Sequence, residues 1–479
     1  MCMITTKNGT IRGAQQGRWQ CYRGIPYGQP PIGRLRFQPP HPVEPWDGVF
    51  DATRNGTRPW QKIAPWVVDA DSHTYGEDCL NLNVWVPEGA HEGCPVLVYF
   101  FGGGHFEGSN CEKGIEAEGI FGDQPYILVT PNYRVGALGY LYLGHLLGEA
   151  YATSGSLGTL DQILSLKWVR DHIESFGGDP DNITIMGQSA GAKSVACLLA
   201  TPLARGLFRR AILMSGALQC VKDIHTEKIL TQNYMAAAGI TDPSAILTMT
   251  PEEIRAAQEK ANDVYFKAES YGPTADGVVF PVDFDAHLAA LDLRGIDILM
   301  GGTAQELYLS PEDAQTPLTD EQMAPRMNWK FGLNAEHVLK RYLERKKTVG
   351  FEAAYGEIVT EYTYVQGTLK TASLFAKAGA SVHLYRWDYH DEGNLARHTS
   401  DLETLFGILR PVHSDVAKHL RGIWQSFIRN GNPLTSEIAY WPASSKDMFH
   451  QLAIDRQDQL LSFGPERMDA DFPLQVLKL

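Results

Sequence analysis

The sequence predicts an α/β fold, a large and mostly parallel central sheet with helices on both faces. Three observations point there. Short, nearly continuous apolar runs recur at Val96–Phe101, Ile127–Thr130, Ile183–Met186, Ala211–Met214, Ile296–Met300 and Val382–Trp387, as expected of strands buried on both faces. Between them lie stretches of helical period, plainest at Leu160–Phe176 and Asp415–Ile428, and strands that alternate with helices imply parallel pairing. The third is one strand-turn-helix unit, Phe176–Gly191 (FGGDPDNITIMGQSAG), which holds a serine between glycines. In such sheets sites form beyond the carboxyl ends of strands, so the residues just after each run carry the most information.

No internal repeat, low-complexity tract or Pro/Ser linker divides the chain, and one domain over residues 1–479 is expected. Two mostly helical, polar stretches, about 217–290 and 310–380, interrupt the strand series. They read as insertions, either walls or a lid over a site or a peripheral helix layer.

Composition narrows the function classes. With 42 basic and 56 acidic residues the net charge is -14, which argues against nucleic acid or an anionic membrane as the partner. No stretch approaches the ~20 apolar residues of a membrane span. The N-terminus lacks a basic cluster followed by an apolar segment, and the seven cysteines are odd in number, without C-x-x-C pairs or metal-type histidine partners. A reduced, cytoplasmic protein without metal or cofactor is the expectation, although a removed leader would leave the same sequence.

The chemistry starts at Ser189. The run Ile183–Met186 reads as a strand and Ala190–Ala200 as a small-residue helix, so the serine falls on the sharp turn that a nucleophile elbow requires. Gly187 and Gly191 flank it because a neighbouring Cβ would collide with the strand or helix. A hydroxyl is a weak nucleophile until a base takes its proton and donors stabilise the oxyanion. Donors are offered by Gly102-Gly103-Gly104, directly after the PVLVYFF strand. Gly103 and Gly104 supply two N–H groups there, and Ala190, after the nucleophile, supplies a third.

In this kind of sheet the acid and then the base follow the serine in chain order. His398, in the loop after the Val382–Trp387 strand, is the leading base, with His390, His413 and His419 as rivals. Glu306 lies just beyond the Ile296–Met300 strand, while Asp276, Asp388 and Asp391 also precede His398. The acid would fix the imidazole tautomer and stabilise the imidazolium.

These segments resemble the type B carboxylesterase family, which includes bacterial para-nitrobenzyl esterases, mammalian carboxylesterases and cholinesterases. Matching stretches are YRGIPYGQPPIGRLRFQPP at Tyr22–Pro40, EDCLNLNVWVP at Glu77–Pro87, FFGGGHFEGS at Phe100–Ser109, Asp161–Gly191, Gln305-Glu306, His398–Phe406, Ser414-Asp415, Gly431-Asn432-Pro433 and Trp441-Pro442. The resemblance implies an α/β-hydrolase fold and a serine esterase that acts on a small-molecule carboxylic ester through an acyl-enzyme. It puts the nucleophile at Ser189, the acid at Glu306, the base at His398 and the oxyanion hole at Gly103, Gly104 and Ala190. It also implies a structural ion pair between Glu77 and Arg36. The same resemblance admits a lipase or sterol-ester hydrolase, and a binding member without catalysis. Such binding members lose a catalytic residue, whereas this chain keeps all of them.

Four departures from the family pattern stand out. Gln188 precedes the serine where glutamate is usual, and His105 follows the glycine run where phenylalanine is usual, so both are candidate pocket residues. Secreted relatives pair the EDCL cysteine with one upstream, but here Cys79 meets only Trp60-Gln61, so no disulfide is expected. Asn81 stands where an aromatic residue is usual, so local packing should differ. Trp60 and Trp66 lie in the region of a choline platform, but cholinesterase activity is not expected.

Overall fold

The computed structural model describes residues 2–62, 74–90, 92–112, 126–264, 271–308, 319–391, 395–411 and 414–474. His413, Trp66 and part of the 310–380 insertion lie outside them. The chain opens with antiparallel strands β1 (Cys2–Thr6), β2 (Gly9–Gln16) and β3 (Trp19–Pro26), with the short β4 (Val49–Asp51) beside β2. Their inner residues alternate with solvated ones, the pattern of a sheet edge covered on one side.

Beyond this edge come the strands that the apolar runs predict. They are preceded by β5 (Asn81–Pro87), and they are β6 (Cys94–Phe100), β7 (Ile127–Pro131), β8 (Gly178–Gln188), β9 (Arg210–Met214), β10 (Asp297–Thr303) and β11 (Ser381–Trp387). β12 (Phe449–Ile454) and β13 (Gln459–Phe463) close the far edge. The order is β1-β2-β3-β5-β7-β6-β8-β9-β10-β11-β12-β13. From β7 to β12 every neighbouring pair is parallel. Phe100 pairs with Gly187, Gln188 with Met214, and Met214 with Gly301, so the carboxyl ends of four strands meet in one row.

Helices fill the connections: α1 (Leu157–His172), α2 (Ala190–Ala200), α3 (Ile224–Ala238), α4 (Pro251–Val264), α5 (Asp320–Phe331), α6 (Ala335–Val349), α7 (Phe351–Thr360), α8 (Gln366–Lys377), α9 (Ser400–Leu405) and α10 (Asp415–Asn430). The run read as one helix to Phe176 ends earlier, at His172. A 3-10 turn carries it to Gly177, whose φ of 86° stops it. All eleven residues of α2 are buried, which explains its small side chains: it lies under the sheet's other elements with no room for larger ones.

Both stretches read as insertions contain helices with small cores of their own. Tyr234, Met235 and Ile254 pack against Leu138 and Tyr140, while Met327, Phe331, Val338 and Tyr342 gather in the second stretch. Thr319 starts α5 with a reciprocal cap from Gln322, satisfying two donors at the helix start. No helix among the described residues is long and apolar enough to cross a membrane.

Candidate active site

Ser189, Glu306 and His398 all follow strands whose carboxyl ends lie in this row. Ser189, between β8 and α2, adopts φ 57° and ψ -123°, a conformation costly for any side-chain-bearing residue. Its N–H donates to the Met214 carbonyl at 2.8 Å and its own carbonyl accepts from Lys193 at 3.0 Å. A Cβ on Gly191 would run into the Phe100 carbonyl oxygen, and one on Gly187 into the Gly191 backbone. The two flanking glycines are therefore steric requirements.

After β6, Gly103 and Gly104 take φ values of 95° and 62°. Among the described residues neither spends its N–H on a backbone hydrogen bond, and the N–H of Ala190, first in α2, lacks an intrahelical partner by position. The glycine run lies against the serine, since a Cβ on Gly102 would come 3.3 Å from that of Ser189. Gly102 lies against Gln188, where a Cβ would come within 2.8 Å of the Gln188 carbonyl oxygen.

Glu306 and His398 come together because the loops after β10 and β11 continue the parallel ladder. Ala304 N–H donates to Trp387 at 2.9 Å, Gln305 N–H to Ala396 at 3.0 Å and His398 N–H to Glu306 at 3.1 Å. Across this ladder His398 Nδ1 donates to Glu306 Oε2 at 2.6 Å. Glu306 Oε1 accepts the Thr303 N–H at 2.8 Å, and the carboxylate is 1% exposed. With its proton on Nδ1 the ring presents a lone pair at Nε2.

That lone pair is met at 3.3 Å by the amide nitrogen of Gln188, not by Ser189 Oγ. The rival residues lie elsewhere. His390 faces the Asp388 carbonyl, His419 bridges Glu437 and Asp458, Asp388 holds Arg386, and Asp391 holds Arg410. Asp276 caps a turn through the N–H groups of Val278 and Val279.

Gln188 therefore touches His398 directly. A carboxylate in its place could not donate to the lone pair and would instead favour a proton on Nε2. Since the base must be neutral to act, Gln188→Glu should move the acidic limb of the kcat/KM profile upward by about one pH unit or more. An unmoved limb would separate Gln188 from the base.

The imidazole of His105 is 1% exposed. Its Nε2 lies 3.1 Å from Ser194 Oγ on α2, and its ring is 5.0 Å from that of Tyr140. The bond ties the glycine loop to the helix that follows the nucleophile, which explains a polar residue at a buried position. His105→Phe is expected to lower kcat by about tenfold, a fraction of one oxyanion donor, and to leave the preference between polar and apolar acyl esters unchanged. A changed preference with unchanged kcat would instead assign His105 to the pocket lining.

Two neighbours carried no recognisable sequence signal. Tyr364, in a π-helical turn (Glu361–Val365) between α7 and α8, lays its ring 4.9 Å from the His398 ring. The second insertion thereby reaches the site. Asp401, fully buried, accepts from Tyr385 at 2.7 Å and from the Leu402 N–H at 2.8 Å. Burial, and then the charge of Glu306, pushes its carboxyl up to about 6.

A carboxyl raised above its unfolded value binds its proton more tightly when folded. The resulting stability is complete below the unfolded pKa near 4 and is lost as pH rises through about 6. Asp401→Asn should therefore stabilise the protein at pH 7 by on the order of 2–3 kcal/mol and hardly at all near pH 4. Urea melts at the two values would read this, and an equal effect at both would contradict it.

A sequence model described as the carboxylesterase family matches residues 2–472. The chain belongs to the carboxylesterase family. It is 31% identical to the para-nitrobenzyl esterase of Bacillus subtilis (strain 168) over 95% of each chain, and 27% identical to the acetylcholinesterase of Leptinotarsa decemlineata over 97% of this chain and 84% of that one. Among solved structures it resembles a PNB esterase (TM-score 0.82, 28% identity) and the Geobacillus stearothermophilus carboxylesterase EST55 at pH 6.2 (TM-score 0.82, 32% identity), each over 96% of this chain and 97% of the other. The esterase has the α/β-hydrolase fold and is a carboxylic-ester hydrolase.

Several family-derived expectations have a physical form in this esterase. Arg36 grips Glu77 through two bonds of 2.6 and 2.5 Å, and its remaining nitrogen donates to the Met249 carbonyl at 2.6 Å. The pair is almost buried, so it specifies how the chain crosses the first insertion more than it adds stability. Cys79 is a core thiol at 1% exposure. Asn81, where an aromatic residue is usual, is buried in an amide network: its Nδ2 donates to Thr57 at 2.9 Å and its Oδ1 accepts from Asn110 and Asn132 at 3.2 and 3.3 Å. Among the described residues no group of three or more His, Cys, Asp or Glu is arranged to hold a metal ion.

Proposed function

We propose that Ser189 is the nucleophile of this ester hydrolase, His398 its general base and acid, and Glu306 the carboxylate that orients the imidazole. His398 Nε2 takes the hydroxyl proton as Ser189 Oγ attacks the ester carbonyl, and Gly103, Gly104 and Ala190 donate to the oxyanion. Collapse expels the alcohol, which receives the proton from imidazolium. Water then repeats the sequence on the acyl-enzyme and releases the acid.

The observation that carries this reading is the 2.6 Å contact of Glu306 with His398, whose other nitrogen meets the residue directly before Ser189. Serine attack on this reading requires the Gln188 amide to yield the lone pair to the hydroxyl. Catalytic bonds of this kind often tighten only when substrate is bound.

The substrate is a small-molecule ester, and the relative named for para-nitrobenzyl esters makes aryl-alcohol esters the first to try. A reducing, cytoplasmic setting is our reading of its location, supported by seven cysteines of which none is in a disulfide among the described residues. The test is labelling by an alkyl fluorophosphonate followed by peptide mapping. A single adduct on the Ser189 peptide is expected, and an adduct on another serine would reassign the nucleophile.

A further inference from the structure

At the opposite end of α2 from Ser189 a second cavity of about 330 Å³ opens beside the sheet. That volume is within the range of small-ligand sites. Its walls are aliphatic and aromatic: Leu198 and Leu199 from the last turn of α2, with Phe208 and Leu293 facing them. Leu198, Leu199 and Leu293 are themselves almost fully buried, so the cavity floor belongs to the core.

The mouth is polar and carries net positive charge. Arg294 lies on Asp292 through two bonds of 2.9 and 2.7 Å, which neutralises both. His287 is committed through Nε2 to the Ala200 carbonyl, 2.7 Å away at the end of α2. Arg205, at the same mouth, makes no side-chain hydrogen bond or ion pair among the described residues. Asp292 also feels the charge of Arg205, so two guanidinium groups share one carboxylate at this mouth and leave one net positive charge over an apolar cavity, on a chain whose net charge is -14.

We propose that this pocket binds a single-chain carboxylate, its aliphatic tail between Leu199 and Leu293 and its carboxylate on Arg205. A guanidinium fork matches a carboxylate in shape and charge, and only a ligand with an apolar tail gains from the buried walls. A neutral alcohol lacks the partner for Arg205; an inorganic anion lacks the tail. Eight helical residues, Ala190–Cys197, separate Ser189 from the first wall of the pocket, roughly 14 Å along the helix, so it is distinct from the site that processes esters.

Calorimetric titration of octanoate into the full-length protein tests this, with 1-octanol as the neutral control. Octanoate should bind, 1-octanol at least about tenfold more weakly, and Arg205→Glu should weaken octanoate by at least about tenfold, the worth of one hydrogen bond to a charged group. Arg205 is exposed, so this variant should fold as the parent does. Leu291→Trp, which fills the cavity from its lip, should weaken binding as well, with thermal melts checking that it folds. No octanoate binding, an unchanged affinity in Arg205→Glu, or 1-octanol binding as tightly as octanoate would each overturn the proposal.

Discussion

Replacing Ser189 with alanine should lower kcat for an aryl ester by about 10⁵-fold or more while leaving the thermal midpoint nearly unchanged. The first half follows from chemistry, because without the hydroxyl no acyl-enzyme can form and water must attack the ester unaided. What remains is the stabilisation offered by Gly103, Gly104 and Ala190, on the order of 10³-fold over water. The second half follows from the backbone. Ser189 holds φ 57°, and alanine at this angle meets the same strain, since that strain belongs to the position and not to the hydroxyl. Steady-state rates beside a calorimetric melt would separate the two halves. Activity within tenfold of the parent would remove Ser189 from the mechanism.

Glu306→Gln is expected to cost about 10³ to 10⁴-fold, with kcat and kcat/KM falling together. Glu306 accepts at both oxygens, from His398 at one and the Thr303 N–H at the other. An amide can accept at only one of them. If its nitrogen faces the ring, Nδ1 must become the acceptor and the proton moves to Nε2, where the lone pair is needed. If its nitrogen faces Thr303, two donors oppose each other at a position only 1% exposed. Either arrangement disables the base without touching the ester, so KM should change little. A large rise in KM at preserved kcat would instead assign Glu306 to binding.

Much of this architecture was legible in the sequence because the central strands are buried on both faces. Runs such as Ala211–Met214 leave little choice but a strand between two helix layers. The N-terminal strands were not recognisable by the same rule. GTIRGAQQ in β2 alternates buried and solvated residues and its polar positions hide the period. β13, QLLSF, has no fully buried residue, which leaves almost no hydrophobic signal.

At the site the division is between local and distant causes. The elbow could be read because its glycines, strand and helix are consecutive in the chain, Gly178–Ala200. His105 was read as a candidate pocket residue because nothing in GGGHFEG reveals a partner 89 positions away at Ser194. The approach of Tyr364 to His398 likewise depends on how an insertion folds back, and short-range periodicity carries no trace of it.

Glu306 and His398 meet through a ladder that extends beyond two strands, and Gln188 meets His398 across 210 residues. Such long-range closures are slow to form, because each loses loop entropy before any contact repays it. The site is accordingly a late product of folding: a chain still growing at the ribosome can hold the elbow, its helix and the glycine loop long before it has a base. Regained ester hydrolysis then marks the completion of the sheet through β11 and not the earlier collapse of its parts.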